Sequence, residues 1–102
     1  MVANANFQTD KAARYMKALC NHFGRKIEAK YEDNEGWIDF PFGRCDLRAD
    51  NDGLSIRVEG HDTPTLLQLK RVVGSHLERF TQNELVSLDW MDELESKHGG
   101  LK

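Results

Sequence analysis

Apolar side chains recur along this chain with two periods. Ala12, Met16, Leu19 and Phe23 fall every three to four residues, as do Leu66, Leu69, Val73, Leu77 and Phe80, and that spacing gathers each set on one face of a helix. Between the two sets the apolar positions alternate instead: Ile27, Ala29, Tyr31; Ile38, Phe40, Phe42; Cys45, Leu47, Ala49; Leu54, Ile56, Val58. A period of two describes half-buried strands. The same alternation at Ala3, Ala5 and Phe7 predicts an opening strand, and at Val86, Leu88 and Trp90 a closing one.

The punctuation supports this division. Thr9 is placed to cap a first helix over residues 10–23, with Gly24 supplying a left-handed stop. Thr63 before Pro64 sets up the second helix, the hydroxyl as cap and the proline in the first turn, where its missing N–H does no harm. Asp33-Asn34-Glu35-Gly36, Gly43 and Asn51-Asp52-Gly53 mark turns of a meander. Pro41 cannot donate to a ladder, so its strand is expected at an edge or with a bulge. The order is (β)-α-β-β-β-β-α-β, an α+β class. The layer rules make it a two-layer sandwich, one antiparallel sheet of five or six strands with both helices on one face.

Length then bounds the organisation. A chain of 102 residues holds one domain, read here as residues 1–91, with a polar and flexible tail at 92–102. Seventeen acids against fourteen bases give a net charge of -3 with no basic stripe, which excludes nucleic acid as the expected partner. No long apolar run suggests a leader or a membrane anchor, so the cytoplasm is the expected compartment and a membrane is not an expected partner. Cys20 and Cys45 are accordingly read as small buried thiols rather than a redox pair.

The candidate chemistry sits at the ends of the two helical stretches. His22-Phe23-Gly24-Arg25 and His76-Leu77-Glu78-Arg79 repeat one tetrad, His-x-x-Arg. Cations near helix C-termini answer the helix dipole, which explains the first pair well and the second less well. If the helix ends meet, both pairs converge on one anion-binding or metal-binding pocket. In an antiparallel arrangement they would lie on the order of 20 Å apart. Cys20, His22, Cys45 and His76 lack the close spacing of a soft-metal centre, and neither a metal nor another cofactor is expected. Asp39, beside Phe40-Pro41-Phe42, is a further candidate ligand residue, although a lone acid makes no acid/base pair.

Alternation also fills the outward face of the sheet with mixed charges around Trp37. That face is either a solvated lattice of salt pairs or a platform for protein interaction or homodimerisation, with Trp37, Arg48 and Arg57 as candidate contacts. No phosphate-cradling loop, nucleophile elbow or zinc-protease motif occurs, so an enzyme is not the expected reading. Its remaining form would use His76 as a base in a deep pocket.

Three separated runs, residues 12–23, 38–45 and 76–80, resemble the bacterial family catalogued as domain of unknown function 2218. The resemblance extends from about Ala3 to Trp90, and the polar tail departs from it. It implies an accessory role in iron handling, because such proteins are joined to or encoded near siderophore-interacting flavin reductases. Residue by residue it points to His22, His76, Arg79 and Asp39 without giving them roles. The expectation is therefore a non-enzymatic binding protein for an anionic small molecule or an iron chelate, held by His22, Arg25, Asp39, His76 and Arg79.

Overall fold

The computed structural model describes residues 1–81 and 88–93. Strands β1 (Val2–Gln8), β2 (Glu28–Glu32), β3 (Glu35–Phe40), β4 (Gly43–Asp50), β5 (Gly53–Gly60) and β6 (Met91–Glu93) form one sheet. Helices α1 (Ala12–Phe23) and α2 (Thr63–Phe80) complete the fold. The sheet order is β2-β3-β4-β5-β1-β6, and every neighbouring pair is antiparallel. The four middle strands of the chain are the meander that their turns announced. The first strand then lies against the fifth, and the last strand closes on the first.

Alternation decides which side of the sheet each residue takes. Ala3, Phe7, Ile38, Cys45, Leu47, Ala49, Leu54, Ile56 and Val58 face the helices and are buried with Met16, Leu19, Leu66, Leu69, Val73 and Leu77. Both helices cover this one face, α1 over β2 to β5 and α2 over β4 and β5. The α+β sandwich is therefore as its pattern implies.

Several local expectations are corrected. Thr9 does not cap α1: its Oγ1 accepts from the Lys11 N–H at 3.1 Å, and the helix opens at Ala12, two residues late. Gly24 is right-handed, at φ -64°, its N–H donating to the Cys20 carbonyl and so continuing the last turn. The cap of α2 is Asp62 rather than Thr63. Its carboxylate accepts from the Thr65 N–H at 3.0 Å, while Thr65 Oγ1 accepts from the Asp62 N–H at 3.1 Å, a reciprocal capping box.

Pro41 belongs to no strand. It sits with Phe42 in the two-residue turn between β3 and β4, where a fixed φ and a missing donor suit the corner, and β3 is an interior strand. At the next position a side chain on Gly43 would run into the Glu59 carbonyl and the Leu69 side chain, so this turn approaches its neighbour too closely for any other residue.

At the sheet edge Tyr31 is 38% exposed rather than buried, with the Lys17 ammonium of α1 over its ring at 5.9 Å from the ring centre. Of the closing strand expected at Val86, Leu88 and Trp90, Val86 lies outside the described residues. Leu88 and Trp90 are not in a strand but pack half-buried against the core. The strand is instead Met91–Glu93, pairing with Val2, Ala3 and Asn4 and fastened by Lys70 Nζ to Asp92 Oδ1 at 2.7 Å. It reaches two residues into the segment read as tail. Residues 94–102 lie outside the described part.

Candidate functional site

The C-terminal turns of the two helices meet. Gly24 and Thr81 end them on the same side of the sheet, and the ring of His22 lies 4.9 Å from that of His76, centre to centre and tilted by 48°. Phe23 touches both, at 5.0 Å and 4.7 Å, and Phe80 touches His22 at 5.8 Å. Phe40 packs edge-on against Phe23 at 5.0 Å and stacks on Phe42 at 5.3 Å. Two imidazoles are thus set in a collar of phenylalanines contributed by both helices and the β3–β4 turn. These phenylalanines were read from sequence as core. The signal that they belong to the site was their adjacency, Phe23 lying inside the first tetrad, Phe80 directly after the second, and Phe40 and Phe42 flanking Pro41.

The nitrogen chemistry of His76 is fixed. Its Nδ1 lies 2.7 Å from the Val72 carbonyl oxygen, which can only accept, so Nδ1 donates, and the neutral tautomer that this bond selects has its lone pair on Nε2. Val72 lies eight residues before the end of α2, so its carbonyl already accepts within the helix ladder. The bond is therefore not a cap for an orphan carbonyl. It orients the ring. For an enzyme using His76 as base, a ring packed against His22 and Phe23 and hydrogen-bonded to backbone counts against the role, and the broad concavity described below opens on the opposite face of the sheet.

Around the rings gather cations. His22 is held below its ordinary pKa of 6.5, first by withdrawal from water and then by the charges of His76, Arg25, Arg79 and Lys26. Arg25 and Arg79 are exposed at the rim, and Lys26 is a cation that sequence reasoning overlooked. The rim of the cluster is positive and its walls are aromatic.

Asp39 is not part of this cluster. Strand alternation sends Phe40 toward the histidines and Asp39 through to the outer face, where its carboxylate lies 3.8 Å from Arg44. Cys20 and Cys45 are buried free thiols. Burial pushes Cys20 up to about 11 and drives Cys45 up as well. Among the described residues no group of three or more His, Cys, Asp or Glu side chains is arranged to hold a metal ion.

The outer face of the sheet is a broad, open trough with no helix over it, lined among others by Trp37, Arg44, Asp46, Arg48, Arg57 and Met91. Register places Lys30, Trp37, Asp46, Arg57, Asn4 and Met91 in one row across all six strands. The Arg44 guanidinium lies over the Trp37 ring at 4.7 Å and also bonds Asp46 Oδ1 at 3.2 Å. Arg57 bridges Asp46 at 3.7 Å and Glu59 at 3.5 Å. Arg48 faces Glu35 and Ser55 across its neighbours. Trp37 and the two arginines therefore do share one surface, and it lies on the far side of the sheet from the histidines.

With two helices on one side of a six-stranded antiparallel sheet and the paired His-x-x-Arg turns in place, comparison with known proteins is informative. The model of a family described as "Uncharacterized protein conserved in bacteria (DUF2218)" matches residues 4–91. The chain belongs to this family. The NMR structure of PA4090 from Pseudomonas aeruginosa is similar to it at 31% sequence identity and a TM-score of 0.76. The match covers 88% of this chain and 94% of that one. No functionally curated protein matches. Membership in the DUF2218 family thus extends over nearly all the described residues, and PA4090 shares the architecture. No described helix is long and apolar enough to cross a membrane.

Proposed function

We propose that this DUF2218 protein is a non-enzymatic, cytoplasmic binding domain for an anionic small molecule or an anionic metal chelate, seated between the C-terminal turns of α1 and α2. The observation that carries the reading is the 4.9 Å approach of His22 and His76, which turns two separate sequence tetrads into one cluster ringed by Arg25, Arg79 and Lys26. Guanidinium groups grip carboxylate or phosphate oxygens in pairs, and the phenylalanine collar lowers the local dielectric around them. An iron–siderophore complex is one anionic chelate of this kind.

Calorimetric titration with citrate, phosphate, ferric citrate and a ferric siderophore tests the reading. Binding of at least one of these, weakened tenfold or more by Arg79→Ala and by His76→Ala, is the expected result. Titrations showing no heat for any of them end it.

A second reading rests on a different observation, the open trough with its stacked Trp37–Arg44 pair. Aromatic and arginine side chains concentrate in interfaces, and the alternating charges of Asp46, Arg57 and Glu59 are self-complementary, which suits a homodimer joined face to face. Sedimentation equilibrium decides it. A dimer that Trp37→Ala or Arg57→Glu converts to monomer supports this reading, and a monomeric wild type removes it.

A further inference from the structure

A ring pair made only for packing would need no particular nitrogen chemistry. His76 has it nonetheless: the Val72 carbonyl accepts from Nδ1 and fixes the ring, so that in the neutral tautomer Nε2 is the nitrogen able to ligate. A histidine that binds a metal ordinarily has this arrangement, its second nitrogen donating to a backbone carbonyl or carboxylate. His22, partly exposed and without a hydrogen bond among the described residues, presents the second imidazole at 4.9 Å. Two imidazoles sharing one ion at about 2.0–2.1 Å per bond place their ligating nitrogens on the order of 3.3 Å apart. Ring centres 4.9 Å apart are compatible with that separation where one nitrogen of His22 faces Nε2 of His76.

The surrounding charge sets what else such an ion would need. Arg25, Arg79 and Lys26 oppose a bare cation and attract anions. The cluster therefore suits an ion whose charge is offset by oxygen donors arriving with it.

We propose that His22 and His76 form a two-imidazole site for a borderline divalent transition-metal ion such as Zn2+, whose remaining coordination positions are taken by carboxylate oxygens of the anionic ligand held at Arg25 and Arg79. The proposal deepens the binding reading above by naming the ligand class, a metal carboxylate with open coordination positions, and it rests on that reading for the arginines alone. Imidazole nitrogens select ions of the zinc, nickel and copper group over hard ions that prefer oxygen throughout. The protein supplies two nitrogens and a positive rim, and the ligand supplies the oxygens.

The test uses the full chain, Zn2+ with and without citrate, and long-range 1H–15N spectra of the histidine rings. On adding Zn2+ the His76 Nε2 and one His22 nitrogen are expected to shift together, with His61 unmoved. Citrate is expected to tighten Zn2+ binding by fivefold or more beyond competition from free zinc citrate. His22→Gln and His76→Gln each remove the shift, and a circular-dichroism melt of each variant shows that it remains folded. If either variant unfolds, Cu2+ bound to the wild type is read instead by its electron paramagnetic resonance spectrum, in which coupling to two nitrogens is the expected result. Arg79→Ala abolishes the citrate enhancement and does not weaken Zn2+ binding without citrate, because it removes a charge that opposes the bare ion. Zinc binding that survives His22→Gln, zinc shifts confined to His61, or copper coupled to fewer than two nitrogens overturns the metal site. Loss of the citrate effect alone overturns the anion reading and not the two-imidazole site.

Discussion

His22 shows most directly how residue chemistry sets a measurable property. Its proton is disfavoured in the folded chain by withdrawal from water and by four neighbouring cationic groups, whereas the unfolded chain accepts it near pH 6.5. A lowered folded pKa means that the unfolded state binds the proton more readily, so this contribution to stability is present above about pH 6.5 and is lost as pH falls through the folded value. In buffer containing a chelator, the wild-type melting temperature should fall between about pH 7.5 and 5.5. The His22→Gln variant should fall less over the same range. Equal slopes would show that His22 does not carry the effect. Legibility at this scale was uneven. The His-x-x-Arg repeat named the two imidazoles that meet, because helix periodicity fixes where along its helix a residue lies. Asp39, grouped with them from sequence, lies on the other face of the sheet although it adjoins Phe40, because in a strand adjacency in sequence means opposite faces.

At the scale of elements, capping decides where each helix begins. The α2 start is held by the reciprocal bonds of Asp62 and Thr65, with Pro64 in the first turn, and both Thr65 contacts hold the Asp62 carboxyl below its usual range. Asp62→Ala should lower the melting temperature, and Asp62→Asn, which still accepts from the Thr65 N–H, should restore most of the loss. Thermal denaturation followed at 222 nm measures both, and identical curves for the three proteins would contradict the capping role. Sequence reading chose Thr63 because Thr-Pro is a good entry signal. It overlooked that Asp62 three residues before Thr65 is a better one. Helix and strand cores were legible through periodicity, while ends were not, since they are settled by single side-chain bonds that compete at adjacent positions. The shift of the closing strand from Trp90 to Met91–Glu93 has a similar cause. Leu88 and Trp90 alternate like a strand, yet they serve as half-buried cover for the core.

For the whole molecule, the class and the layering followed from element order, but the neighbours in the sheet did not. Alternation tells which face a strand buries and is silent about which strand lies beside it. That is why β1, first in the chain, could not be placed between β5 and β6 from the pattern alone. Nor could the meeting of the helix ends, which depends on how the two helices lie across the strands beneath them. The placement of β1 has a consequence for how the protein is made. During synthesis β1 emerges before either of its partners exists, and at about 5–20 residues per second the last residue of β5 follows Gln8 only after roughly 3–10 s. Through that interval its backbone groups have no ladder, and the alternating Val2–Gln8 segment is an unpaired edge open to other chains. Ribosome-bound chains arrested before residue 50 has cleared the exit should be cut by protease within β1, and chains arrested after Gly60 has cleared should be protected there. The meander from β2 to β5 can assemble as each hairpin appears, whereas β1 waits for β5, and a chaperone that shields nascent edges would act on Val2–Gln8 before it acts on the meander.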